Sequence, residues 1–376
     1  MKNILITGGA GFIGSNLTRK LVSKGYNVTI LDNLSKQIHG KNQASELYKS
    51  IKDISTFILG DVCNKSDWNK ALQGQDAVIH LAAETGTGQS MHEITRYNNV
   101  NILGTSHLLN ILANESHSIK KMLIASSRAI YGEGKYACTT HGDVFPTQRK
   151  ELDMDIGEFN LKCDICNSEL NLVATDENSK IQPSSIYGIN KQQQEQMIML
   201  MGASLGIPSV AFRYQNVYGP GQSLSNPYTG ILSIFSTRIL NGNNLDIYED
   251  GLESRDFVYI DDVVDATILG IEKQEANGEV FNVGSGIAIT VKEVADSLKK
   301  LYNSDINISI TNKYRMGDIR HNYADLTKVK NLLGFSPKYD FQKGIFEFVK
   351  WVRTQEVKED KYDKSITELK SKGLMK

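Results

Sequence analysis

The chain has 376 residues, 40% hydrophobic and 23% charged, with a mean hydropathy of -0.30; this is the composition of a folded globular protein and excludes a disordered or collagen-like one. Its 42 basic and 43 acidic side chains leave a net charge of -1, so no bulk attraction to nucleic acid or an anionic membrane is expected. Any anionic ligand must be met by local groups.

In chain order, Ile4 to Thr7, Val28 to Leu31, Phe57 to Leu59, Ala77 to Leu81 and Met122 to Ala125 read as buried strands. Between them lie helical patterns: Ile13, Leu17 and Leu21 recur at every fourth position before Gly25, and Val100, Leu103 and Leu108 to Leu112 form a second apolar face. Alternating strands and helices predict a doubly wound parallel α/β sheet. The opening apolar run is cut by Gly8 and Gly9, too short for a secretory core or a span of roughly 20 residues, so the chain reads as cytoplasmic.

The rhythm stops between Glu133 and Lys180 and resumes with a helix from Ile186 to Leu205 and a strand from Val210 to Arg213. Beyond Asn216 the pattern is less regular and predicts a smaller domain over the end of the sheet, with Phe257 to Ile260 as a strand crossing back. The expected organisation is a dinucleotide domain over 1–132, an insertion over 133–180 and a continuation of the first domain over 181–215. A substrate domain over 216–353 sends segments back to the main sheet, and a charged tail covers 354–376.

Gly8, Gly11 and Gly14 follow the first strand and open the first helix. A tight turn, close approach of a pyrophosphate and close helix packing each favour a residue without Cβ, and the helix start offers unpaired N–H groups to phosphate. Phe12 and Ile13 belong to this Rossmann-type loop. Asp32, 18 positions after Gly14, suits the ribose hydroxyls and repels a 2′-phosphate, which points to NAD. Asn33, Asp61 and Val62 extend the expected site, with Asp61 either at the adenine edge or simply closing a turn.

Cys138 and His141 form a C-x2-H knuckle, and Cys163 and Cys166 a C-x2-C knuckle 21 residues later. Each spacing suits half of a tetrahedral zinc, and four protein ligands imply a structural metal in an insertion with few apolar residues of its own. Ser127 ends a strand, and Tyr187 and Lys191 share one helix face as Tyr-x-x-x-Lys. A phenol with pKa about 10 needs a nearby cation to act as a base at neutral pH, which the lysine ammonium and a nicotinamide would provide. Tyr187 would then take a proton from a sugar hydroxyl held by Ser127.

With these motifs in place, the chain resembles the extended short-chain dehydrogenase/reductases of the nucleotide-sugar epimerase/dehydratase family from Met1 to about Val352. His80-Leu81-Ala82-Ala83, Asn101, Tyr131-Gly132, Arg213 to Pro220, Arg255 to Val258, Asn282 to Gly284 and Gly317-Asp318 carry the resemblance. It implies that Leu81, Ala82, Ala83 and Asn101 line the cofactor site. It also implies that Arg128 and Asn216 meet the sugar diphosphate, that Arg255 and Arg315 clamp its phosphates, and that Asn226 and Tyr248 meet the base or simply pack. A homodimer through the Tyr187 helix and its neighbour after Asn101 is a further implication.

Dehydratases of the family carry Asp-Glu directly after the catalytic Ser/Thr, whereas Arg128-Ala129 stands here. That departure leaves oxidation and reduction at one carbon, expected as 4-epimerisation with tightly bound NAD. The Cys/His insertion and the Gly219 to Gly230 loop are most similar to the dTDP-L-rhamnose 4-epimerase subgroup, implying a 6-deoxy-L-talose product. A UDP-hexose 4-epimerase and a 4-ketoreductase remain open, and an idle NAD-binding scaffold is the reading from another class.

Overall fold

The computed structural model describes residues 1–40, 45–226, 228 and 230–376. Seven parallel strands form the main sheet in the order Val280–Val283, Ser209–Tyr214, Lys121–Ser127, Ala77–His80, Asn3–Thr7, Asn27–Asp32 and Thr56–Leu59. Counted along the chain this is 3-2-1-4-5-6-7, so the crossover direction reverses between the first and fourth strands, and ligands bind at such a reversal. Ile4, Leu5, Ile6 and Ala77 to Ile79 are buried on both faces because helices cover both sides of a parallel sheet. The expected helix containing Val100 and Leu103 is continuous from Ile94 to Asn114, with a π-helical stretch over Asn98–Leu103.

A second sheet sits beyond the C-terminal ends of the main strands. Its central strand, Ser254–Tyr259, pairs with Asn216–Tyr218, Ala288–Thr290 and His321–Asn322. The strand expected at Phe257 to Ile260 therefore exists but does not cross back, because its edges are taken by small-sheet partners. The returning segment is the Ile260–Glu272 helix, which packs on the Phe12–Ser23 helix, followed by Val280–Val283.

The insertion holds a three-stranded antiparallel sheet with Tyr136–Cys138 between Gly142–Val144 and Asn171–Leu172. Its Met154 and Phe159 pack with Tyr314 and Met316 of the second half. The tail docks rather than trailing: the Tyr362–Ser371 helix buries Tyr362, Ser365 and Leu369, and the last residues pair with Tyr314 and Met316. No described helix is long and apolar enough to cross a membrane.

Candidate functional site

A groove of about 1410 Å3 crosses the sheet at the strand reversal. Gly8, Gly11, Phe12, Ile13 and Gly14 line it at one end. Gly8 has φ +67°, and a Cβ there would lie 2.8 Å from the Ala82 nitrogen. At Gly14 a Cβ would lie 2.4 Å from the Gly8 carbonyl oxygen. Only glycine fits either place, and the bare turn leaves the first N–H groups of the Phe12–Ser23 helix without a side-chain cap and open to an anion.

Asp32, Asn33 and Val62 also line the groove, as do Leu81, Ala82 and Ala83. The Asp32 carboxylate accepts from the backbone N–H groups of Ala10, 3.0 Å, and Leu34, 2.9 Å, which fixes it at the end of its strand. Burial pushes its carboxyl up, against these hydrogen bonds and nearby His39.

Two residues expected at the cofactor are held by hydrogen bonds within the chain. Asp61 is not among the lining residues although its neighbours Gly60 and Val62 are; its carboxylate accepts from Cys63 N–H and the Asn33 amide, closing the turn. Asn101 is buried behind the groove, where its carboxamide accepts from Glu84 N–H and donates to Glu84 C=O, holding the loop after Ala83. A buried amide satisfied by one loop positions that loop.

Gln215, inside the Arg213 to Pro220 run that carries the resemblance but given no role there, also lines the groove. It is buried, and neither of its amide atoms has a partner among the described residues. Buried polar atoms are rarely left unpaired, so a polar group arriving in the groove would complete it. With the glycine cradle and Asp32, this makes the groove fit a dinucleotide.

Ser127, Tyr187 and Lys191 meet at the centre of the groove. Ser127 accepts from Ala129 N–H at 3.1 Å and lies beside the Tyr187 phenol. Lys191 donates to the Ala125 carbonyl at 2.9 Å. Burial pushes the Tyr187 phenol up, opposed by Ser127 and by the Arg128 guanidinium. Burial brings the Lys191 ammonium down to about 7.

Behind this centre, Glu195 takes a fork of two hydrogen bonds from Arg213, at 2.6 and 3.0 Å, and one from Ser126 at 2.5 Å. Arg213 continues to Tyr131, and Tyr131 to Asn282. Glu195, Arg213, Tyr131 and Asn282 brace the strand carrying Ser127 without lining the groove, which Ser126 does line.

Asn216 lines the groove, and its amide oxygen accepts from Arg128 Nε at 3.0 Å. Arg128, Arg255 and Arg315 gather around Asp318, whose carboxyl they hold below its ordinary value although burial raises it. Burial, and then the neighbouring Arg255, lower Arg128 to about 10. Arg255 is largely committed within the chain, to the carbonyls of Ser254, Ile319 and Arg320 and to Asp318. Arg315 lies over the Tyr248 ring at 4.8 Å with its Nε unpartnered, and the Tyr248 hydroxyl meets that of Tyr362. Asn226 is buried and accepts from Tyr228 N–H, so it closes its own loop.

Cys138, His141, Cys163 and Cys166 converge. Cys138 Sγ lies 3.5 Å from His141 Nδ1 and 3.7 Å from Cys166 Sγ, and Cys163 Sγ lies 3.6 Å from His141 Nδ1. A tetrahedron with Zn–S of about 2.3 Å and Zn–N of about 2.1 Å has edges of about 3.6 to 3.8 Å. The separation of Cys138 and Cys166 is far too long for a disulfide.

The sequence model described as the NAD dependent epimerase/dehydratase family matches residues 4–150 and 168–284. A dTDP-L-rhamnose 4-epimerase of Burkholderia thailandensis is 33% identical over 93% of this chain and 95% of its own. A UDP-N-acetyl-alpha-D-glucosaminuronate decarboxylase of Bacillus cytotoxicus is also 33% identical, over 94% of this chain and 98% of its own. The crystal structure of a UDP-glucuronic acid 4-epimerase from Bacillus cereus, in complex with UDP-glucuronic acid and NAD, superposes with a TM-score of 0.77 at 25% identity, covering 94% of this chain and 99% of that one.

Proposed function

The chain belongs to the NAD dependent epimerase/dehydratase family, and from that premise we propose that it is a nucleotide-sugar 4-epimerase with dTDP-L-rhamnose as substrate and dTDP-6-deoxy-L-talose as product. The observation that carries the reaction type is Ser127, Tyr187 and Lys191 around one groove, followed by Arg128 and Ala129 where an eliminating enzyme places acids. NAD held by the glycine turn and Asp32 would supply the acceptor and donor of hydride at sugar C4. Tyr187 takes the proton of the C4 hydroxyl as the ketone forms and returns it at the same oxygen after the sugar has turned. Ser127 holds that oxygen by hydrogen bond, and Lys191, fixed by Ala125, places positive charge behind the phenol. One carbon is oxidised and then reduced, so the cycle needs no added reductant. The dTDP-L-rhamnose assignment is supported by the Burkholderia relative and by the Cys/His insertion.

The same reading takes zinc as a structural ion on Cys138, His141, Cys163 and Cys166, supported by their near-tetrahedral separations. It takes the assembly as a homodimer, supported by Leu103 and Ile189, exposed together along the groove between the Asn98–Leu103 turn and the Tyr187 helix.

The test is proton NMR of purified protein without added cofactor, given dTDP-L-rhamnose, UDP-glucose or UDP-N-acetylglucosamine. Inversion at C4 of the first alone is expected. Turnover of a UDP-sugar would move the substrate, and turnover only with stoichiometric NAD(P)H and a 4-keto sugar would move the reaction to a ketoreductase.

A further inference from the structure

Arg149 belongs to the insertion, yet its side chain is 4% exposed and lies against the loop Tyr314 to Asp318. Its fork reaches groups from several parts of the chain, the Phe159 carbonyl at 3.5 Å among them. One Nη donates to Glu249 at 2.8 Å, the other donates to the Asp318 carbonyl at 3.0 Å, and Nε faces Glu133 at 3.4 Å. The carboxyl of Asp318 in turn meets Arg255 at 3.2 Å and is held charged by Arg255, Arg315 and Arg128. The guanidinium thus fixes the backbone of the residue around which the three candidate phosphate-binding arginines gather.

The other end of Arg149 leads to the Cys/His cluster. Two residues before it, Thr147 donates through its N–H, 3.0 Å, and its hydroxyl, 3.3 Å, to the carboxylate of Asp164. Asp164 lies inside the Cys163 to Cys166 knuckle. A second connection runs alongside, since the Tyr314 hydroxyl donates to Asp155 and its ring packs with Met154 and Phe159. A metal bound on the four ligands would fix the knuckle that holds Thr147.

We propose that Arg149 is a positioning residue through which the metal-filled Cys/His module sets the loop from Tyr314 to Asp318, and with it the affinity for the nucleoside diphosphate half of the substrate. The inference rests on the nucleotide-sugar and zinc readings above. Arg149 touches no substrate atom. It acts by holding Asp318, and an anion binds more tightly to donors already in place than to donors that must be ordered on arrival.

The experiment uses the full chain with its bound NAD and measures the dissociation constants of dTDP and UDP by titration calorimetry. Zinc is measured by atomic emission and NAD by absorbance on the same samples. Arg149→Gln is expected to weaken the tighter-binding nucleotide at least tenfold while NAD and zinc stay near one per chain. Arg149→Lys keeps the charge without the fork and is expected to fall between, which decides the matter if the glutamine variant does not fold. Removing zinc from the wild type with a chelator is expected to weaken the nucleotide similarly, and to add little in Arg149→Gln, because the two changes act on one linkage. Wild-type affinity in folded Arg149 variants, or in metal-free wild type that keeps its NAD, overturns the inference. Wild type that binds neither nucleotide overturns the function on which it rests, and protein purified without zinc overturns the metal reading.

Discussion

Arg128 donates to the Asn216 amide oxygen at 3.0 Å, joining the loop after the catalytic strand to the first strand of the small sheet. The residue directly after Ser127 is thus a cation tied to the small sheet. Arg128→Met removes a charge-assisted contact worth about 1.5 to 3 kcal/mol. Steady-state kinetics are expected to show KM raised about tenfold or more, with a smaller change in kcat and no 4-keto-6-deoxy product by NMR.

Tyr187→Phe deletes the proton carrier and leaves the ring. A positioned acid–base group contributes roughly 10² to 10⁴ in rate, so kcat should fall by that range. NAD content, read by absorbance after denaturation, should stay at the wild-type level.

Lys191 has its folded-state pKa lowered by burial to about 7 from 10.5. Between those values the unfolded chain binds more protons, so stability rises with pH. The penalty is fully present below about 7 and disappears toward 10.5. Lys191→Met has no such penalty, so in NAD-free protein it should exceed wild type in denaturant stability at pH 6.5, with a smaller advantage at pH 9.5. Its activity should be lost at both.

Glu195 is the shared acceptor of Arg213 and Ser126 in a buried network. Removing one partner of a buried ion pair costs about 3 to 5 kcal/mol because the other charge is stranded. Glu195→Ala should lose that much in urea melts, and a Glu195→Ala, Arg213→Met pair should recover part of it.

Cys163→Ser should reduce the zinc content well below one ion per chain and lower Tm. Zinc supplied to the wild type after chelation should restore its Tm, which follows the metal because binding there is folding free energy.

The glycine turn, Asp32, and the Ser127, Tyr187 and Lys191 centre were legible in the sequence because each depends on short-range spacing along one strand or one helix. The Ile186–Leu205 helix has its expected bounds. Less legible were residues whose job depends on distant partners. Asn101 and Asp61 carry groove-like side chains but spend their hydrogen bonds on neighbouring loops. Gln215 belongs to the Arg213 to Pro220 run, but its burial and its two unpaired amide atoms are visible only in three dimensions. The strand containing Phe257 was found by its pattern, but its partners come from three separate stretches, and pairing at such distance leaves no local trace.

The chain passes from the main sheet to the small one through Gln215 alone, returns with the Ile260–Glu272 helix, and leaves again after Val283. Three covalent connections therefore tie the two layers, and two of them run straight out of paired strands. Any movement of one layer against the other must therefore bend several connecting segments together. A single protease nick in any one connection would leave both halves still attached.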